Sequence, residues 1–100
     1  MGDDLRLEAL MRAAKERFGR LAELTPELPE ELANAIRSFN EPLQLSYLLA
    51  TTIPFPTKDL QDLLEAGSVE ERFRRFVEHA QQEIAVRELE QKIAEDTRAR

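Results

Sequence analysis

The sequence predicts an all-α protein, a small bundle of about five helices ending in a long C-terminal helix that projects from the bundle. Three observations predict it. Apolar residues recur at three- and four-residue steps along most of the chain, no segment shows the alternating β-branched pattern of a strand, and proline, glycine and capping residues divide the chain into helix-length pieces. The 100 residues suffice for one domain with a modest core.

Leu7, Leu10, Met11, Ala14, Phe18, Leu21 and Ala22 place one apolar stripe on a helix over residues 4–24. Thr25-Pro26 and Leu28-Pro29 end it, and Pro29 suits the first position of a second helix, 29–39, with Leu32, Ala35, Ile36 and Phe39 inward. Asn40 is placed to cap a third helix, about 42–52. Its Leu43, Leu45, Leu48, Leu49 and Ala50 have little polar relief, which marks it as the most enclosed element. Ile53-Pro54-Phe55-Pro56 stops it, because the residue before a proline is pushed out of the α region. Thr57 then caps a short helix carrying Leu60, Leu63 and Leu64, closed by Gly67.

The last helix begins at a capping box, Ser68 with Glu71, and runs at least to Ile93. At about 100° per residue, Val69, Phe73, Phe76, Val77, Ala80 and Ile84 share one face, while Val86, Leu89 and Ile93 fall roughly opposite. The stripe changes sides partway along. Residues 1–84 are therefore expected to form the bundle and 85–100 an outgoing extension. Val86, Leu89 and Ile93 are partner-facing candidates, the alternative being scattered apolars on a frayed helix tail. Ile53 and Phe55 have two readings: substrate-contact candidates on a proline-stiffened apolar patch, or side chains folded back over the end of the bundle.

The composition narrows the chemistry. With 14 Lys and Arg against 20 Asp and Glu, a net charge of -6 opposes nucleic-acid binding, which needs clustered cations. There is no cysteine for a disulfide or thiolate site, and no apolar run approaches a membrane span or signal peptide, so the expected location is cytoplasmic. The three glycines cannot form a phosphate-cradling loop. His79, the single histidine, is expected on a solvated face with Glu78 and Glu83, without the further ligands a metal needs. Ser38, Ser46 and Ser68 have no base at visible spacing, and the acid pairs Glu30-Glu31 and Glu70-Glu71 suit the positive ends of helix dipoles. No catalytic residue, cofactor site or metal site is expected in this chain.

Residues 29–93 carry a series of short motifs in order: Pro29-Glu30-Glu31-Leu32, Glu41-Pro42, Lys58-Asp59-Leu60-Gln61, Val69-Glu70-Glu71-Arg72-Phe73, Glu83-Ile84 and Glu90-Gln91-Lys92-Ile93. In order and spacing they resemble the helical half of the N-terminal domain of the Lon ATP-dependent protease family, with Phe73 in place of the usual leucine and Gln91 in place of the usual lysine. The resemblance implies a parent with a preceding β-rich lobe, a following AAA+ ATPase module that uses ATP and magnesium, and a serine protease with a Ser-Lys dyad, assembled as a homo-hexamer for protein quality control. The immediate helix after Met1-Gly2 and the helix still running at Arg100 lead to the expectation of a segment of such a parent. This chain would then be a noncatalytic substrate-recognition and assembly segment. Its partners would be unfolded or degron-bearing proteins and the other Lon modules, and it would help position N-terminal domains over the ATPase ring. The alternative is a freestanding helical interaction or dimerisation module unrelated to proteolysis.

Overall fold

Helix formation follows the apolar spacing. The computed structural model describes residues 2–98 and contains α1 (Gly2–Glu23), α2 (Glu30–Arg37), α3 (Pro42–Thr52), α4 (Thr57–Leu64) and α5 (Val69–Arg98), with no strand among the described residues. The predicted all-α architecture is the one observed. No described helix is long and apolar enough to cross a membrane.

The ends of the helices show which local signals act. Ser68 Oγ accepts the Glu71 amide at 3.1 Å, so the predicted cap starts α5. Thr25 Oγ1 donates to Leu21 O at 2.7 Å and fixes the turn after α1. Three predicted caps are corrected. Glu41, not Asn40, caps α3, accepting the Gln44 amide at 2.8 Å, with Pro42 at the first helical position. Pro29 and Pro56 sit one residue before α2 and α4 in extended conformations, so Thr57 is already helical. Gly67 does not close α4, which ends on Glu65 in the right-handed region, and no described residue has positive φ.

The largest helix interface joins α1 to α5. Arg6 faces Glu70 at 3.9 Å and Arg20 faces Glu88 at 2.6 Å, so the two helices run parallel, both starting at the same end. Ala14, Phe18 and Leu21 from α1 meet Phe73, Phe76, Ala80 and Ile84 from α5 in one core with Ala33 and Ile36 of α2, Leu45, Leu49 and Ala50 of α3, and Leu63 of α4. Ile84 is the last buried apolar side chain of α5; beyond it all are exposed except the half-buried Arg87. The apolar core therefore stops at Ile84, while polar ties continue about one turn further.

Several inward assignments are corrected. On α2 the buried residues are Ala33 and Ile36, with Leu32 and Ala35 exposed and Phe39 half-buried. On α3, Leu45, Ser46, Leu49 and Ala50 are buried, Leu48 is half-buried, and Leu43 is exposed. Short helices make only two or three turns, too few for periodicity alone to select between adjacent faces.

Arg72 is the one charged side chain buried in the core among the described residues, 5% exposed. Its Nε donates to Leu63 O at 3.1 Å, its Nη1 to Ser46 Oγ at 3.2 Å and its Nη2 to Ala66 O at 3.3 Å. The guanidinium also lies 4.2 Å from the centre of the Tyr47 ring. Among the described residues no carboxylate binds it. Its compensation comes from the carbonyls at the C-terminal end of α4, where the helix dipole is negative, and from the aromatic face.

Two stability outcomes follow from this packing. Leu49→Ala is expected to destabilise by about 2–5 kcal/mol in urea titration, and Leu48→Ala by clearly less, because only Leu49 is enclosed. Arg72→Ala is expected to cost more than about 2 kcal/mol, since it strands the Ala66 carbonyl and removes the side-chain donor to Leu63 O, which keeps only the Ala66 amide. Arg72→Lys should recover little of that loss, because a single ammonium cannot span the fork of acceptors.

Candidate functional site

The feature that distinguishes α5 is its exit from the bundle. Over its first half it is flanked by α1 and α4; near Glu88 both partners have ended. The last ties are polar. Arg87 Nη1 donates to Thr25 Oγ1 at 2.8 Å, Arg87 Nε donates to Glu83 at 3.3 Å, and Arg20 bridges Glu88 and Glu23. At and past this level Val86, Leu89 and Ile93 are 51%, 58% and 55% exposed. They lie one above another at three- and four-residue spacing, on the side of α5 turned away from Phe76, Ala80 and Ile84. Helix α5 has 30 residues. It is about 45 Å long at 1.5 Å per residue, within a molecule whose longest extent is 56 Å.

The other candidate is placed differently. Ile53 and Phe55 are 2% and 8% exposed and belong to the core, while Pro54 and Pro56 point outward. The backbone is extended at Ile53 and Pro56, and the segment buries alternate residues as an extended chain does. The Phe55 ring meets Phe76 edge-on, centroids 5.8 Å apart at 85°. Of the two readings of this loop, the fold-back over the bundle is observed, and the exposed-patch reading is corrected. Buried side chains present no surface to a substrate.

The exposed apolar surface near that loop lies instead on α3, where Leu43 and Tyr47 are 48% and 42% exposed, one turn apart, with Gln44 and Thr51 beside them. A sequence signal for it exists: no charged residue occurs between Glu41 and Lys58. In a chain that is 34% charged, so long a neutral tract leaves its outer face without any ionic group.

His79 is also corrected. It turns toward α4 instead of toward Glu78 and Glu83. Its Nε2 lies 2.8 Å from Asp62 Oδ2, its Nδ1 lies 3.6 Å from Asp59, and its ring packs on Phe55. Arg75 donates to the Asp62 carbonyl at 2.7 Å and its carboxylate at 3.2 Å, and to Glu71 at 3.1 Å. The hydrogen bond from His79, aided by the charge of Arg75, holds the Asp62 carboxyl below its ordinary range, with partial burial opposing. The two aspartates approach different ring nitrogens and so converge on no common metal position. No group of three potential ligands occurs among the described residues. The cluster docks α4 antiparallel on α5.

The chain was compared with known proteins. A family model described as the ATP-dependent protease La (LON) substrate-binding domain matches residues 2–82. Lon protease 1 of Bacillus subtilis (strain 168) is 30% identical over 88 residues, covering 88% of this chain and 11% of the relative. Lon protease of Halothermothrix orenii is 33% identical over 88 residues, 88% of this chain and 11% of its own length. Lon protease of Bacillus thuringiensis (strain Al Hakam) is 33% identical over 92 residues, 92% and 12% respectively. The chain thus spans about a tenth of the length of these relatives.

The Asp62 cluster yields a pH-dependent outcome. A depressed carboxylate pKa contributes stability above the unfolded value, near 3.9, and loses it as pH falls through the lower folded value. Asp62→Asn should therefore lower the melting temperature at pH 7, and its difference from the parent chain should shrink steadily below about pH 4. A difference independent of pH would show that the carboxylate charge is not what holds α4.

Proposed function

Because the chain belongs to the Lon substrate-binding domain family, we propose that it is a noncatalytic recognition and assembly segment of a Lon-like ATP-dependent serine protease. The observation that carries this reading is the exposed stripe of Val86, Leu89 and Ile93 on a helix that runs out past its own bundle. Three apolar side chains at helical spacing form a seam that a second helix can cover, as in coiled-coil packing. Each would contribute about 1.5–3 kcal/mol if fully buried, which is too little alone to offset the cost of association. The seam works as one part of a larger contact, with another subunit or with the module that follows. Its proposed effect is to fix the N-terminal domains over an ATPase ring, where ATP and magnesium would act outside this chain.

The neutral face of α3 is the proposed contact for unfolded or degron-bearing polypeptide. Leu43 and Tyr47 offer apolar area without a charge that would select among clients, and the bundle beneath holds them rigidly. The α3 face replaces Ile53 and Phe55 in that role.

Two substitutions in the full-length parent test the reading separately. Leu89→Glu should leave the melting temperature of the bundle nearly unchanged and impair hexamer assembly in sedimentation. Leu43→Asp should leave assembly intact and reduce crosslinking of an unfolded client. A tight dimer of the isolated chain, with no assembly defect in the parent, would favour a freestanding dimerisation module.

A further inference from the structure

The acidic chain carries a surface where several cations converge. A shallow groove of about 430 Å³ between α1 and α2 is lined by Arg12, Lys15, Glu16, Gly19, Arg20, Glu23 and Arg37. Arg20 is neutralised by Glu23 and Glu88, and Arg12 lies 3.7 Å from Glu8. Lys15 and Arg37 differ. Lys15 Nζ donates to Asn40 Oδ1 at 2.7 Å and Arg37 Nη2 donates to Asn34 Oδ1, both neutral amide oxygens. Neither forms a salt bridge among the described residues. The amides orient these two cations without cancelling their charge.

Gly19 sets the geometry. A Cβ there would lie 3.3 Å from Arg37 Nη1, so glycine lets the guanidinium rest directly against α1. Lys15 stands four residues earlier on the same helix, about 6 Å along the axis. An extended polypeptide advances about 6.6 Å over two residues, with both side chains on one side. Carboxylates at alternate positions of such a segment therefore match the axial step from Lys15 to Gly19, against which the Arg37 guanidinium rests, and Arg12 stands a further turn along the same face of α1.

We propose that this groove docks an extended acidic segment of a polypeptide, carrying Asp or Glu at alternate positions, independently of the α3 face and the outgoing helix. Glu16 and Glu23 argue against a nucleic acid as the occupant. A backbone charged at every unit brings phosphates against these two carboxylates, whereas a peptide can place uncharged residues there.

The experiment titrates the chain with a short fluorescein-labelled peptide of alternating Asp and Ala, followed by polarisation and by amide chemical shifts. Saturable binding that weakens with added salt is expected, with shifts confined to residues 12–23 and 34–40. The double variant Lys15→Gln, Arg37→Gln should weaken binding about tenfold or more, equal to about 1.4 kcal/mol. Lys58→Gln, Lys92→Gln, which removes two exposed cations elsewhere, should leave it unchanged. Equal loss in both double variants, shifts outside the groove, or tighter binding of a single-stranded oligothymidine than of the peptide would each overturn the proposal.

Discussion

The arrangement of the second half of the bundle depends on a single buried cation. Arg72 reaches α3 through Ser46 and Tyr47, and it reaches the end of α4 through the carbonyls of Leu63 and Ala66. Helix α4 has eight residues and buries only one of them, Leu63, so apolar contact alone gives it little hold. A guanidinium suits the position because its planar fork can satisfy several acceptors at once and can stack on an aromatic ring. Burying it without a carboxylate is tolerable because the last carbonyls of α4 already carry partial negative charge and need donors. The same residue thus solves two problems, its own desolvation and the open end of a short helix.

A second constraint follows from the parallel pairing of α1 and α5. Parallel neighbours that begin together must end apart when one is longer, and α1 stops at Glu23, where Thr25 and Pro26 turn the chain toward α2. Arg20 and Arg87 fasten α5 at that level, through Glu88 and Thr25. Beyond that level every described residue of α5 is exposed. The exposure of Val86, Leu89 and Ile93 is therefore a consequence of unequal helix lengths as well as of the stripe's change of side.

These constraints separate the surface into regions of different character. The α3 face is neutral, the α1–α2 groove gathers cations, and the outgoing helix presents an apolar seam among charges. A bundle this small has room for distinct surfaces because its core is served by few side chains, mainly the phenylalanines and leucines of α1, α3 and α5. Residues not needed for that core are available for contacts with other molecules.

Local chemistry in the sequence determined the helices, the capping serine of α5 and the reversal of its stripe, because each of these depends on spacing within a few turns of one chain segment. The stripe was legible since a long helix samples its own periodicity many times. The short helices were not. The spacing places Leu32, Leu43 and Leu48 inward, yet Leu32 and Leu43 are exposed, Leu48 is half-buried, and Ala33 and Ser46 are buried, because the face a short helix buries is chosen by its neighbours. Tertiary structure alone decided that Ile53 and Phe55 turn inward against Phe76, that His79 joins Asp62 across to α4, and that Arg72 is buried. Each of those outcomes rests on partners distant in sequence. Spacing along the chain carries no record of which carbonyl, ring or carboxylate will arrive opposite a side chain, so the core position of a charged residue and the exposure of an apolar one are fixed only when the helices pack.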